Sequence, residues 1–135
     1  MNHETSEINE KILYKDECYA VQGAIFEVYR ELGCGFLEQV YQECLEKELC
    51  LRKIPFESQK ELEIKYKGQI LKQHYKPDLI CYNKIIIELK AVKDISKEHE
   101  AQIFNYLKAT GLFLGLLVNF GHYPKATIKR IILKK

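Results

Sequence analysis

Asp78, Glu88 and Lys90 are the residues of this 135-residue chain whose types and spacing most readily do chemistry. They lie in residues 74–92, HYKPDLICYNKIIIELKAV, which reads as two apolar strands meeting at a short turn around Tyr82-Asn83-Lys84. With Asn83 at the apex, Asp78 stands five residues before it and Glu88 five after. Directly opposed residues share a face, with Cβ atoms roughly 5 Å apart. Lys90, two beyond Glu88, shares that face as well. The opposite face carries Leu79, Cys81, Ile85, Ile87, Leu89 and Ala91 and reads as core. Two adjacent carboxylates on an apolar hairpin repel each other. A divalent cation reverses that sign, since Mg²⁺ is held by oxygen-rich sites of this kind. The alternative is a solvated strand face whose charges are screened by Lys76 and Lys90, and spacing leaves both readings open. A register shift of one residue would destroy the arrangement; a shift of two would keep it.

Residues 11–32 place Tyr14, Cys18, Val21, Ile25, Val28 and Leu32 at helical spacing, ending at Gly33. A second helix is expected over 37–51 with a stripe of Leu37, Val40, Tyr41, Cys44 and Leu45. Glu38 falls on the margin of that stripe, so it reads either as a residue facing a site or as a first-turn carboxylate favoured by the helix dipole. Residues 56–66 alternate as a half-buried strand, Lys67-Gly68 turns, and 69–75 return into the central hairpin, a continuous meander. Ser96 caps an expected helix over 97–110 that closes at Gly111, with Ile103, Tyr106, Leu107 and Thr110 on its buried side. On its flank Gln102 and Tyr106 are adjacent, with His99 nearby. Residues 112–120 are nearly all apolar, as in a central strand covered on both faces, and 127–133 form a last strand. The order predicts a mixed α/β fold with helices packed on a central sheet. Residues 1–10 read as a frayed tail and 11–135 as one domain.

Composition narrows the function. Lys plus Arg is 21 against 19 Asp plus Glu, and a net charge of +2 is too weak a footprint to imply nucleic-acid binding by itself. A polyanion would have to meet a local patch such as Lys125, Lys129, Arg130, Lys134 and Lys135, whose alternative reading is a solvated tail and strand face. The five cysteines form no metal-ligand spacing, and most fall at apolar-periodic positions and read as small core residues in a reducing compartment, so a cytoplasmic location is expected. No stretch approaches a membrane span. His74 reads as a site-edge or satisfied surface residue, and Tyr41 as a packing anchor.

The motifs then line up. Gly35-Phe36-Leu37-Glu38-Gln39-Val40-Tyr41 reads G-x-x-E-x-x-Y; Pro77-Asp78 precedes Glu88-Leu89-Lys90; then come His99-Glu100-Ala101-Gln102, residues 105–111 (NYLKATG) and residues 115–120 (GLLVNF). In this order and spacing they resemble the GxxExxY protein family, a branch of the PD-(D/E)XK nuclease superfamily, over residues 19–132. Cys34 stands where that pattern more often has proline. The resemblance implies a restriction-endonuclease-like core with a mixed central sheet flanked by helices. It implies a Mg²⁺- or Mn²⁺-dependent nuclease acting on nucleic acid, DNA above all. Glu38, Asp78 and Glu88 with the carbonyl of Leu89 would bind metal, and Lys90 would position or activate the attacking water. Gln102 and Tyr106 would line the site and contact substrate. A nuclease-fold module that binds nucleic acid or a protein without turnover is the other reading. The oligomeric state is left open, a homodimer included.

Overall fold

A computed structural model describes residues 13–134. Helix α1 (Lys15–Leu32) buries Cys18, Val21, Ala24, Ile25 and Val28; the expected first residues, Lys11 and Ile12, and the expected tail lie outside the described residues. Helix α2 (Glu38–Leu51) follows, then strands β1 (Phe56–Ser58), β2 (Leu62–Tyr66), β3 (Gln69–Tyr75), β4 (Leu79–Cys81) and β5 (Ile85–Lys90). Helix α3 (Lys97–Thr110) and strands β6 (Leu114–Asn119) and β7 (Thr127–Ile132) complete the chain. Among the described residues no helix is long and apolar enough to cross a membrane.

The main sheet runs β1-β4-β5-β6-β7, with β5 and β6 parallel and the other pairs antiparallel. Parallel neighbours need a crossover of a dozen or more residues, and α3 supplies it. Strand parity then divides the core. Ile85, Ile87, Leu89, Leu114, Leu116 and Val118 face α1 and α2, whereas Ile86 and Leu117 face Ile103 and Leu107 of α3. Gly115 lets α3 come close, because a Cβ there would lie 2.7 Å from the Ile103 Cγ2. Every residue of β6 is buried, as its apolar run predicts.

Two expectations are corrected. Residues 56–66 are not one strand, nor do the strands form one meander. Gln59 adopts a left-handed backbone (φ 54°), β1 pairs with β4, and β2 leaves to form a separate two-stranded ribbon with β3. Alternation reports which side a residue faces and says nothing of its partner strand. In α2 the buried stripe is Tyr41, Leu45 and Leu49, while Leu37 is 72% exposed and Val40 is exposed as well.

Candidate active site

The turn between β4 and β5 puts Tyr82 and Asn83 at φ 55° and 58°, with the Lys84 N–H donating to the Cys81 carbonyl at 3.1 Å. Two left-handed residues in succession twist in the sense the flanking strands need. The resulting ladder, Cys81 on Ile85, Ile80 on Ile86 and Leu79 on Ile87, is the register that brings Asp78 to Glu88. There the backbone ladder stops and the side chains continue it. The Asp78 N–H donates to Glu88 Oε1 at 2.7 Å, and the Leu89 N–H donates to Asp78 Oδ2 at 2.7 Å. Each carboxylate thus takes an amide of the opposite strand through one oxygen, and the second oxygen of each carries neither bond. Neither acid forms an ion pair with a lysine among the described residues; Lys76 pairs with Glu61 at 3.5 Å instead of screening the site.

Electrostatics record the crowding. Burial, then the Asp78 charge, pushes the Glu88 carboxyl up to about 7, against the opposing pull of the Asp78 amide and the Lys90 ammonium. Burial also raises Asp78; the Leu89 amide opposes this, the Glu38 charge adds to it, and Lys90 again lowers it. Amide donors favour the charged form, so for the shifts to remain upward desolvation must outweigh them. Tyr75 closes the site from the α3 side. Its ring stacks on Tyr106 at 3.8 Å, and its buried hydroxyl lies near Glu88 without a well-formed hydrogen bond. Burial and the Glu88 charge push that phenol upward.

Glu38, the first residue of α2, is exposed and lines one cleft with Leu37, Gln42, Asp78 and Ala91. One turn on from Glu38, the Gln42 Nε2 donates to the Asp78 carbonyl at 3.0 Å, tying α2 to the acid-bearing strand. The loop before Glu38 is held by Tyr41. Its hydroxyl donates to the Gly33 carbonyl at 2.5 Å and accepts from the Phe36 N–H at 3.3 Å, and its ring stacks on Phe120 at 4.4 Å. Tyr41→Phe is therefore expected to cost about 1–2 kcal/mol, since it strands a carbonyl and an amide while leaving the stack. A denaturant midpoint with unchanged slope would check it.

Asp78, Glu88 and Leu89 come together, with the Lys90 charge beside them and Glu38 across the cleft. Among the described residues, however, no three acidic, histidine or cysteine side chains converge as a ready-made metal cage. Gln102 is exposed and makes no contact with the acids through a hydrogen bond, whereas Tyr106 reaches the site through its stack on Tyr75. His99 is a capping residue: its Nδ1 accepts from the Ser96 N–H at 3.1 Å. His74 sits exposed on the ribbon, opposite Glu63. Asn119 was not singled out by its spacing. It pairs in register with Lys90, and its buried Oδ1 accepts from the Val92 N–H at 3.0 Å and the Gly121 N–H at 2.9 Å. The Phe120 N–H donates to the Lys90 carbonyl at 2.8 Å, so the backbone at Lys90 is clamped. Gly121 permits this approach, because a Cβ there would lie 2.3 Å from the Val92 carbonyl oxygen. The available signal was a lone amide ending an otherwise apolar run. Gln42 had one too, four residues after Glu38 on the same helical flank.

Comparison with known proteins accords with this geometry. A family model described as the PD-(D/E)XK nuclease superfamily matches residues 15–131. No curated protein matches the chain. The crystal structure of SSO0001 is similar, with a TM-score of 0.56 and 22% identity, over 72% of this chain and 51% of that chain. The chain thus spans about half the length of that protein, and the likeness is one of fold.

Proposed function

Since the chain belongs to the PD-(D/E)XK nuclease superfamily, we propose that it is a Mg²⁺- or Mn²⁺-dependent nuclease hydrolysing phosphodiester bonds in DNA. Asp78, Glu88, Glu38 and Lys90 would carry the reaction. The observation behind this reading is the pair of half-buried acids, each held by a backbone amide through one oxygen and each raised in pKa. The remaining oxygens and the Leu89 carbonyl form a hard-oxygen donor set, which suits Mg²⁺ or Mn²⁺ better than Zn²⁺. Mg²⁺ usually takes only one or two carboxylates, with water and substrate phosphate completing its shell, so a third acid in contact is not required. Glu38 faces the same cleft from α2 and would act as a further ligand. Bound there, the cation supplies charge neutralisation at the phosphate and a more acidic water.

The chain's own residues do the rest. The amides of Asp78 and Leu89 fix both carboxylates, so little reorganisation is left for the reaction itself. Lys90 projects a cation beside them, where it can orient the attacking water and offset charge developing on phosphorus. Tyr106 and Gln102 would meet substrate along α3. Assignment to the GxxExxY branch is supported by what its motif does locally, with Tyr41 holding the glycine loop that delivers Glu38. The cysteines, all free thiols, fit action in a reducing cytoplasm.

Plasmid and single-stranded DNA incubated with Mg²⁺ or Mn²⁺ should be cut by the wild type and spared in EDTA. Cleavage that survives both Asp78→Ala and Lys90→Ala would overturn the proposal. Among the described residues no three-acid cage is preformed, and the second reading, a module that binds nucleic acid or a protein without turnover, needs none. Tight metal-independent binding with no cleavage would select it.

A further inference from the structure

The ribbon of β2 and β3 belongs to no layer of the core beyond its foot. Leu62, Ile64 and Tyr75 pack with Ile103 and Leu107 of α3, but Gln69 through His74 are exposed on both faces. Charge is distributed unevenly along it. At the foot Lys76 pairs with Glu61 at 3.5 Å and Lys60 with Glu57 at 3.6 Å. Toward the tip, Lys65, Lys67 and Lys72 have no carboxylate partner among the described residues, and Lys67 lies 5.5 Å over the ring of Tyr66. Tyr66 is 61% exposed and Ile70 58%. The patch that the sequence offered to a polyanion is partly occupied by contrast. Lys129 pairs with Glu100 at 2.8 Å and Arg130 donates to the Leu13 carbonyl at 2.9 Å.

We propose that this ribbon is a DNA-holding arm that enters the major groove of a duplex and delivers it to the site at the ribbon's base. The inference rests on the nuclease reading and sharpens it to double-stranded DNA. A two-stranded ribbon is one of the few elements the B-form major groove admits, whereas the major groove of A-form RNA is too deep and narrow. Unpaired lysines on a narrow projection meet phosphates on the groove walls and release their counterions. Continuity with the chemistry is direct, because β3 ends at Tyr75, beside Glu88 and three residues before Asp78. From Lys72 to Asp78 extended chain spans at most about 20 Å, roughly six base pairs of duplex.

The experiment is fluorescence anisotropy of the full chain in EDTA with labelled duplex DNA, duplex RNA and single-stranded DNA across a salt series. Metal-dependent cleavage by the wild type is assayed in parallel. The variant carries Lys65→Gln, Lys67→Gln and Lys72→Gln; a charge-matched control carries Lys15→Gln, Lys47→Gln and Lys53→Gln. The ribbon variant should bind duplex DNA roughly a hundredfold more weakly at 0.1 M salt, with the log–log salt slope smaller by about 2–3. The control should bind like wild type, and duplex RNA should bind more weakly than DNA. Equal binding by variant and wild type, or an equal loss in the control, overturns the arm. So does a change in sedimentation confined to the ribbon variant, which would make the ribbon a contact between copies. Cleavage of DNA with the arm refuted leaves the nuclease reading standing; no cleavage and no binding of any nucleic acid removes both.

Discussion

Lys90→Ala is expected to lower the single-turnover cleavage rate at saturating metal by about 10²–10³, with almost no change in melting temperature. The two halves of that result have separate causes. The ammonium is half-buried beside Asp78 and Glu88 and lowers the pKa of both, yet it is ion-paired to neither among the described residues. Its backbone is secured independently of its side chain, by the Phe120 amide and by the Asn119 clamp one residue beyond Ala91. On the proposed function, truncation therefore removes the cation beside the two acids and leaves the strand in place. Lys90 is the smallest of the influences on the two acids, so its loss should move their pKa and the stability little; were neutralising them its main role, rate and stability would fall together. Lys90→Arg separates two catalytic roles. A guanidinium keeps the charge but does not give up its proton, so recovery of most of the rate marks charge stabilisation and no recovery marks proton transfer.

Legibility in the sequence followed what each signal encodes. Parity along 74–92 and a turn centred on Asn83 were enough to oppose Asp78 and Glu88, since a hydrophobic face and a turn together set register. The two amide bonds that hold those acids were not legible, because they form only beyond the last backbone pair, where side chains replace the ladder. The approach of Glu38 depends on how α2 crosses the sheet, a tertiary fact absent from helical periodicity. The same reason hid the exposure of Leu37 and Val40. Helical spacing places the whole stripe on the core, whereas the first turn of α2 extends over the cleft. The split of 56–66 was invisible in a different way: Phe56, Leu62 and Ile64 keep one parity across the left-handed residue at Gln59, so alternation passes through the break unchanged. His99 shows the reverse case. Spacing puts it near Gln102 and Tyr106 on one helix flank, yet it completes the Ser96 capping box, an arrangement that Ser at the cap and an acceptor three residues later already encode.

The second large effect concerns stability, and its sign runs against the usual one for a buried hydrogen-bonded carboxylate. Glu88 titrates near 7 in the folded protein against an ordinary value of 4.5. Between those values the folded state holds more protons than the unfolded chain, so stability without metal should fall as pH rises from about 4.5 to 7. The loss is on the order of 3 kcal/mol from Glu88, and Asp78, raised in the same direction, adds to it. Glu88→Gln keeps an oxygen to accept the Asp78 amide but cannot ionise. Its stability should keep only the part of the pH dependence that Asp78 carries, leaving it more stable than wild type at pH 8. Added Mg²⁺ should invert the ranking. The cation binds only the ionised acids, so it should stabilise wild type by about 2.7 kcal/mol at a hundred times its dissociation constant, strongly at pH 8 and weakly at pH 5.5. The variant should ignore it. Chemical denaturation of both proteins at the two pH values, with EDTA or with Mg²⁺, reads all of this in one grid. Wild type gaining stability from pH 5 to 8 in EDTA would mean that the backbone amides outweigh desolvation and the acids are structural. Equal stabilisation of both proteins by Mg²⁺ would place the cation elsewhere.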